Sequence, residues 1–145
     1  MTAARLHARG GRFTLGLPMS AQPKVDIAAD AKRNLLEIRF VGAVTAGDMA
    51  ASEQVATAQL ASLRPGFTVL TDLTDLNSME LECVAALTKM MDLFKMRGVA
   101  TAVRVIDDPE KDIGFNILAI THYRRGVKVI TCQSRAEAER AIGQS

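Results

Sequence analysis

The sequence predicts an α/β fold of element order ββαβαβαβα, a mostly parallel (mixed) central sheet of about five strands flanked by helices. Three observations predict it. Short runs rich in β-branched and apolar residues, at 67–73, 99–106 and 127–132, alternate with longer stretches whose apolar residues recur every three or four positions. Helix-start and helix-stop signals bracket those stretches: Thr45 with Asp48 and then Pro65-Gly66 for the first, Asn77 with Glu80 and then Gly98 for the second, and Gly126 after the third. Ahead of them, Val25, Ile27 and Ala29, then Leu36, Ile38 and Phe40, alternate with polar neighbours around a turn-like 30–34. That is the pattern of a hairpin with one solvated face.

The 145 residues suit one domain, long enough for a continuous core without a metal or disulfide framework. Net charge is +2, too small to argue for nucleic acid or an anionic membrane surface. Its distribution is uneven. Arg5, Arg9, Arg12 and Lys24 precede Val25 with no acid among them, so residues 25–145, the expected domain, are mildly acidic. Residues 1–24 read as a flexible basic extension, Arg-rich as a transit peptide is, with Met19-Ser20 a candidate alternative start. Cys83 and Cys132 lack metal-ligand spacing and read as reduced, buried thiols in a cytoplasmic protein. No apolar run approaches the roughly 20 residues that span a bilayer.

Along the chain, Gly42 is expected to close the second hairpin strand, and a first helix to run from the Thr45 cap to about residue 63 on a narrow stripe of Met49, Ala56, Leu60 and Leu63. Residues 67–73 form a buried strand ending at Asp72. A polar turn follows at 74–78, then one long helix over 79–97 with Asn77 as N-cap and Glu80 as its capping-box partner. In this helix Cys83 or Val84, Leu87, Met90 or Met91, and Phe94 make the core face; Lys89, Asp92 and Lys95 make the solvated one. A third helix is expected at about 112–125, where Ile113, Phe115, Ile117, Leu118, Ile120 and Tyr123 leave it apolar around most of its girth. A second covering element, a second subunit or an apolar ligand would each account for that. Ser134 with Glu137 opens a short terminal helix through Ile142.

The element order, with the strand end Val69-Leu-Thr-Asp-Leu-Thr74 and a long helix shortly after it, resembles the STAS or SpoIIAA-like domain over residues 25–142. The resemblance implies a non-enzymatic regulator: an anti-sigma-factor antagonist that binds a kinase-type partner and is switched by phosphorylation, or a module attached to transporters and sensors. In such antagonists the second helix opens with Asp-Ser-Ser-Gly. Here the corresponding positions are Glu80-Leu81-Glu82-Cys83, with neither acceptor serine and with permanent negative charge at the helix entrance. Ser78 is the nearest hydroxyl. A second branch of the resemblance, toward CRAL-TRIO domains, implies lipid or other apolar-ligand binding and membrane association.

No catalytic fingerprint occurs: no Gly-rich phosphate loop, no Gly-x-Ser-x-Gly, and only two histidines, His7 and His122. Asp72 and Asp75 are too few for a metal and read as turn residues, as do Asp107 and Asp108, so neither metal nor cofactor is expected. One tyrosine and no tryptophan leave no stacking platform for single strands. The leading expectation is therefore a non-catalytic domain binding a protein partner through Asp75, Asn77, Ser78, Glu80 and Glu82. The alternative is an apolar-ligand, lipid or homodimer face formed by Met91, Phe94, Phe115, Leu118 and Tyr123.

Overall fold

Backbone pairing begins earlier in the chain than the sequence suggests. The structure, a computed structural model, describes residues 4–9, 12–15, 23–108, 123 and 126–143. Strands β1 (Ala4–Arg9) and β2 (Arg12–Leu15) pair antiparallel as a separate two-stranded sheet within the stretch read as a flexible basic extension. The main sheet comprises β3 (Val25–Asp30), β4 (Leu35–Val44), β5 (Thr68–Met79), β6 (Thr101–Val105) and β7 (Lys128–Cys132), in that spatial order. Only β3 and β4 are antiparallel, joined by a turn in which Asn34 takes the left-handed φ of 51°. The other three pairings are parallel, so β5 is the central strand.

Helices α1 (Ala46–Leu60) and α2 (Cys83–Met96) cover one face of the sheet. Met49, Ala56 and Leu60 from α1 and Cys83, Met90 and Phe94 from α2 pack on Leu36, Ile38, Phe40, Val69 and Leu73. Phe67 meets Phe94 edge to face, ring centroids 6.4 Å apart. Helix α3 (Arg135–Gly143) lies on the other face, over a smaller cluster of Leu35, Leu70, Val103, Val105, Cys132 and Ala138. It packs against β5, β6 and β7, leaving β3 and β4 on that face without a covering helix among the described residues. Both cysteines are free and buried, and burial raises both thiols above their ordinary pKa. No helix among the described residues is long and apolar enough to cross a membrane.

The structure corrects several local expectations. Gly42 does not end β4; with φ +73° it sits at a register shift, and the strand continues to Val44. Because β4 continues, β5 does too: Val41 pairs with Asp75, Gly42 with Leu76, Ala43 with Ser78 and Val44 with Met79. The expected polar turn at 74–78 is therefore strand. Ladder hydrogen bonds and burial of Leu76 and Val44 override the turn preference of Asp, Asn and Ser. Helix α2 accordingly starts at Cys83 rather than at residue 79, and Asn77 does not cap it. Gly98 ends it with φ +92°, as expected. Helix α1 stops at Leu60, with Leu63 half-buried in the turn beyond, and its buried stripe includes Ser52, whose hydroxyl donates to the Met49 carbonyl at 2.7 Å. Apart from Tyr123, the expected third helix, with Phe115, Leu118 and His122, lies outside the described residues, as does His7's side chain.

Candidate functional site

Strands β4 and β5 each hand the chain to a helix, and the two junctions lie side by side. At the first, Thr45 is N-cap of α1 and the capping box closes in both directions. Asp48 N–H donates to Thr45 Oγ1 at 3.1 Å, and Thr45 N–H donates to Asp48 Oδ2 at 2.9 Å. The backbone donor of Thr45 holds the Asp48 carboxyl below its ordinary pKa. At the second, Glu82 is N-cap of α2 in helical geometry, with no side-chain hydrogen bond to the helix. Glu80, expected to cap α2, turns the other way: its Oε1 accepts from Ala46 N–H at 2.9 Å, so it satisfies the first turn of α1. Its own N–H donates to the Val44 carbonyl at 3.0 Å.

The loop between these contacts holds Leu81, 81 % exposed, with Glu80 and Glu82 exposed on either side. Val84, one turn along, is 45 % exposed. Asp75, Asn77 and Ser78 are also exposed, on the last turnward residues of β5. The five polar residues read from the sequence thus fall on one continuous strand-loop segment. Leu81, which polar-residue reasoning missed, stands at its tip. An apolar residue between two glutamates before a helix was the available signal.

Asp72 does not belong to this entrance. It lies mid-strand, facing α3, 8 % exposed, and Oδ1 accepts from both Thr74 N–H at 3.0 Å and Thr74 Oγ1 at 2.7 Å. Its Oδ2 lies 3.5 Å from Arg135 Nη1, which also meets Glu37 Oε2 at 2.8 Å. Arg135 Nε reaches Glu139 at 3.4 Å, Arg33 bonds Glu139 at 2.6 Å, and Arg39 pairs with Asp75. Hydrogen bonding to Glu37 raises the Arg135 pKa, and the bond from Arg33 lowers that of Glu139. These groups line a cleft of about 500 Å³ on the face of β3 and β4 that no described helix covers. Among the described residues no three His, Cys, Asp or Glu side chains are grouped to hold a metal ion.

On the opposite face, Met91, Phe94 and Tyr123 line a gap between α2 and the sheet that measures about 50 Å³ among the described residues. Tyr123 is buried, and desolvation pushes its hydroxyl pKa upward.

The sequence matches no protein-family profile and no curated protein. Solved structures do match. An uncharacterised protein of the DUF3478 family from Shewanella loihica, with a SpoIIAA-like fold, aligns with 81 % of this chain and 91 % of its own at 13 % identity and a TM-score of 0.63. The Bacillus cell-fate determinant SpoIIAA in its phosphorylated form aligns over 81 % and 98 % at 12 % identity, TM-score 0.55. An anti-sigma-factor antagonist from Mycobacterium paratuberculosis aligns over 82 % and 92 % at 15 % identity, TM-score 0.53.

Proposed function

For a chain with the SpoIIAA-like fold, we propose a non-catalytic regulatory role, exercised by binding another protein through the β5–α2 segment. Asp75, Asn77, Ser78, Glu80 and Glu82 form the polar part of the surface. The observation that carries the reading is Leu81: a large apolar side chain held in solvent between two carboxylates, at a helix start without side-chain capping. A burial of that side chain in a partner contributes on the order of 2 kcal/mol, and the flanking acids select a partner surface with basic groups. In this reading the partner is of the kinase or sensor type that the resemblance to anti-sigma-factor antagonists implies, and the setting is cytoplasmic. Phosphorylation at the entrance of α2 is not part of this reading, because Glu80, Leu81 and Glu82 occupy it.

The test is affinity capture from the source organism's lysate, compared across variants. Leu81→Asp and Glu82→Lys should each deplete the same partner about tenfold or more, while Glu53→Gln on α1 keeps it. Glu80→Gln, which preserves the acceptor for Ala46, separates loss of charge from loss of the α1 contact. A partner list unchanged by Leu81→Asp and Glu82→Lys removes the case for this surface. The second reading, an apolar-ligand or lipid carrier, draws on the Met91, Phe94 and Tyr123 gap. At about 50 Å³ it holds a water or two rather than an acyl chain, and lipid retained in native mass spectra would restore it.

A further inference from the structure

We infer that the N-terminal hairpin is a strap for the outer edge of β3: β2 adds to β3 as an antiparallel strand and joins the two-stranded and five-stranded sheets into one. The inference stands apart from the partner surface.

β3 is the terminal strand of the main sheet, with β4 on one side only. Where β3 begins, Val41 N–H donates to the Lys24 carbonyl at 2.8 Å. Toward its end, Ala29 N–H donates to the Gln59 side chain of α1 at 2.9 Å and not to β4. In an antiparallel pair the main-chain groups of successive residues turn alternately toward and away from the partner strand. Those of Val25 and Ile27 therefore turn away from β4, as Ala29 does. Gln59 closes the Ala29 end, whereas the outward N–H and carbonyl groups of Val25 and Ile27 meet no partner among the described residues. An open edge of this kind is a template for any extended chain that reaches it.

β2 is the segment placed to reach it. The two strands pass beside each other, with Cα atoms within 8 Å, and residues 16–24 between them exceed the roughly two to five that a hairpin connection needs. β1 pairs with one side of β2, which leaves the other side of that strand for β3. β2 has four residues, so two of them turn each way, matching the two open residues of β3. Charge agrees with the pairing. The hairpin carries Arg5, Arg9 and Arg12 and no acid, while β3 carries Asp26 and Asp30 and no base. A second copy pairing through its own β3 would instead bring like charge to the same edge. Lys24 fixes the entry to β3 from this side, its ammonium donating to the Ala43 carbonyl at 3.0 Å.

Hydrogen exchange of the full chain, followed by NMR, tests the strap. In the native sequence the Val25 and Ile27 amides should be protected at every protein concentration, with cross-strand contacts between residues 12–15 and 25–27. Phe13→Pro and Thr14→Pro each remove a donor from β2, one from either side of the strand. Whichever faces β3 should speed exchange at Val25 and Ile27 about tenfold. Exchange at Val129 and Thr131, on the opposite outer edge at β7, should stay as it is. The native-sequence readouts hold even where a proline variant misfolds. Unprotected Val25 and Ile27 amides in the native chain, absence of the cross-strand contacts, faster exchange at both edges alike, or protection that rises with protein concentration as a second copy would cause, would each overturn the inference.

Discussion

The two strand-to-helix junctions are neighbours in space and opposites in construction. At α1, Thr45, Asp48 and the borrowed carboxylate of Glu80 satisfy three backbone donors. At α2 no side chain caps the helix, and the chain instead exposes Leu81 with a carboxylate on each side. Glu80 links them: its carboxylate serves α1, while at the start of α2 its main-chain carbonyl accepts from Cys83 N–H at 2.9 Å. A helix entrance closed by its own side chains contributes stability; one closed by main-chain bonds alone leaves its exposed side chains available to a partner. The comparison predicts that substitutions at the first junction register in stability and those at the second in recognition.

The largest effect should come from the extension of β5 that separates the junctions. Leu76 is 4 % exposed and paired with Gly42, so Leu76→Ala should cost about 2–4 kcal/mol in denaturant unfolding. Were 74–78 the turn that the sequence suggests, the same change would be close to neutral. A smaller loss is expected at the α1 cap: Thr45→Ala should cost about 1 kcal/mol. Acid should act through the same box. The folded-state pKa of Asp48 is depressed, so its stabilisation is present above the ordinary carboxylate value near pH 4 and is lost as pH falls through the depressed value. The stability difference between the native chain and Asp48→Asn should therefore be constant at neutral pH and shrink below about pH 4.

What was legible in the sequence follows from how local each signal is. The Thr45–Asp48 box needs only residues three apart, and Gly98 only its own left-handed φ; both were readable. The order of strands and helices followed from periodicity, and the mixed sheet from the hairpin and crossovers. Asn77 with Glu80 offered the same capping signature as Thr45 with Asp48, yet it failed. Its outcome depended on β4 running on to Val44 beside it, a pairing 34 residues away that no local pattern encodes. The five polar residues of the candidate surface read locally as a helix entrance, but Asp75, Asn77 and Ser78 lie in β5, ahead of the start of α2 at Cys83. The Arg135 network was not found, since Asp72 and Arg135 are 63 positions apart and meet only after the sheet and α3 have assembled.

The smallest predicted effect discriminates most sharply. Asn77 occupies a position that would cap a helix starting at residue 79, and a cap of that kind loses about 1 kcal/mol on replacement by Ala. In the structure it is an exposed residue of β5, and α2 begins six residues later at Cys83. Asn77→Ala should then change unfolding stability by less than about 0.5 kcal/mol, the ordinary range for a surface position. Amide exchange at the start of α2 should stay as it is in the native chain, since Asn77 holds none of the helix's first donors. A loss near that of Thr45→Ala, together with faster exchange in the first turn of α2, would mean that this entrance is closed by its own side chain after all. The contrast between the two junctions would then disappear, and with it the reason for Leu81 to stand open to a partner.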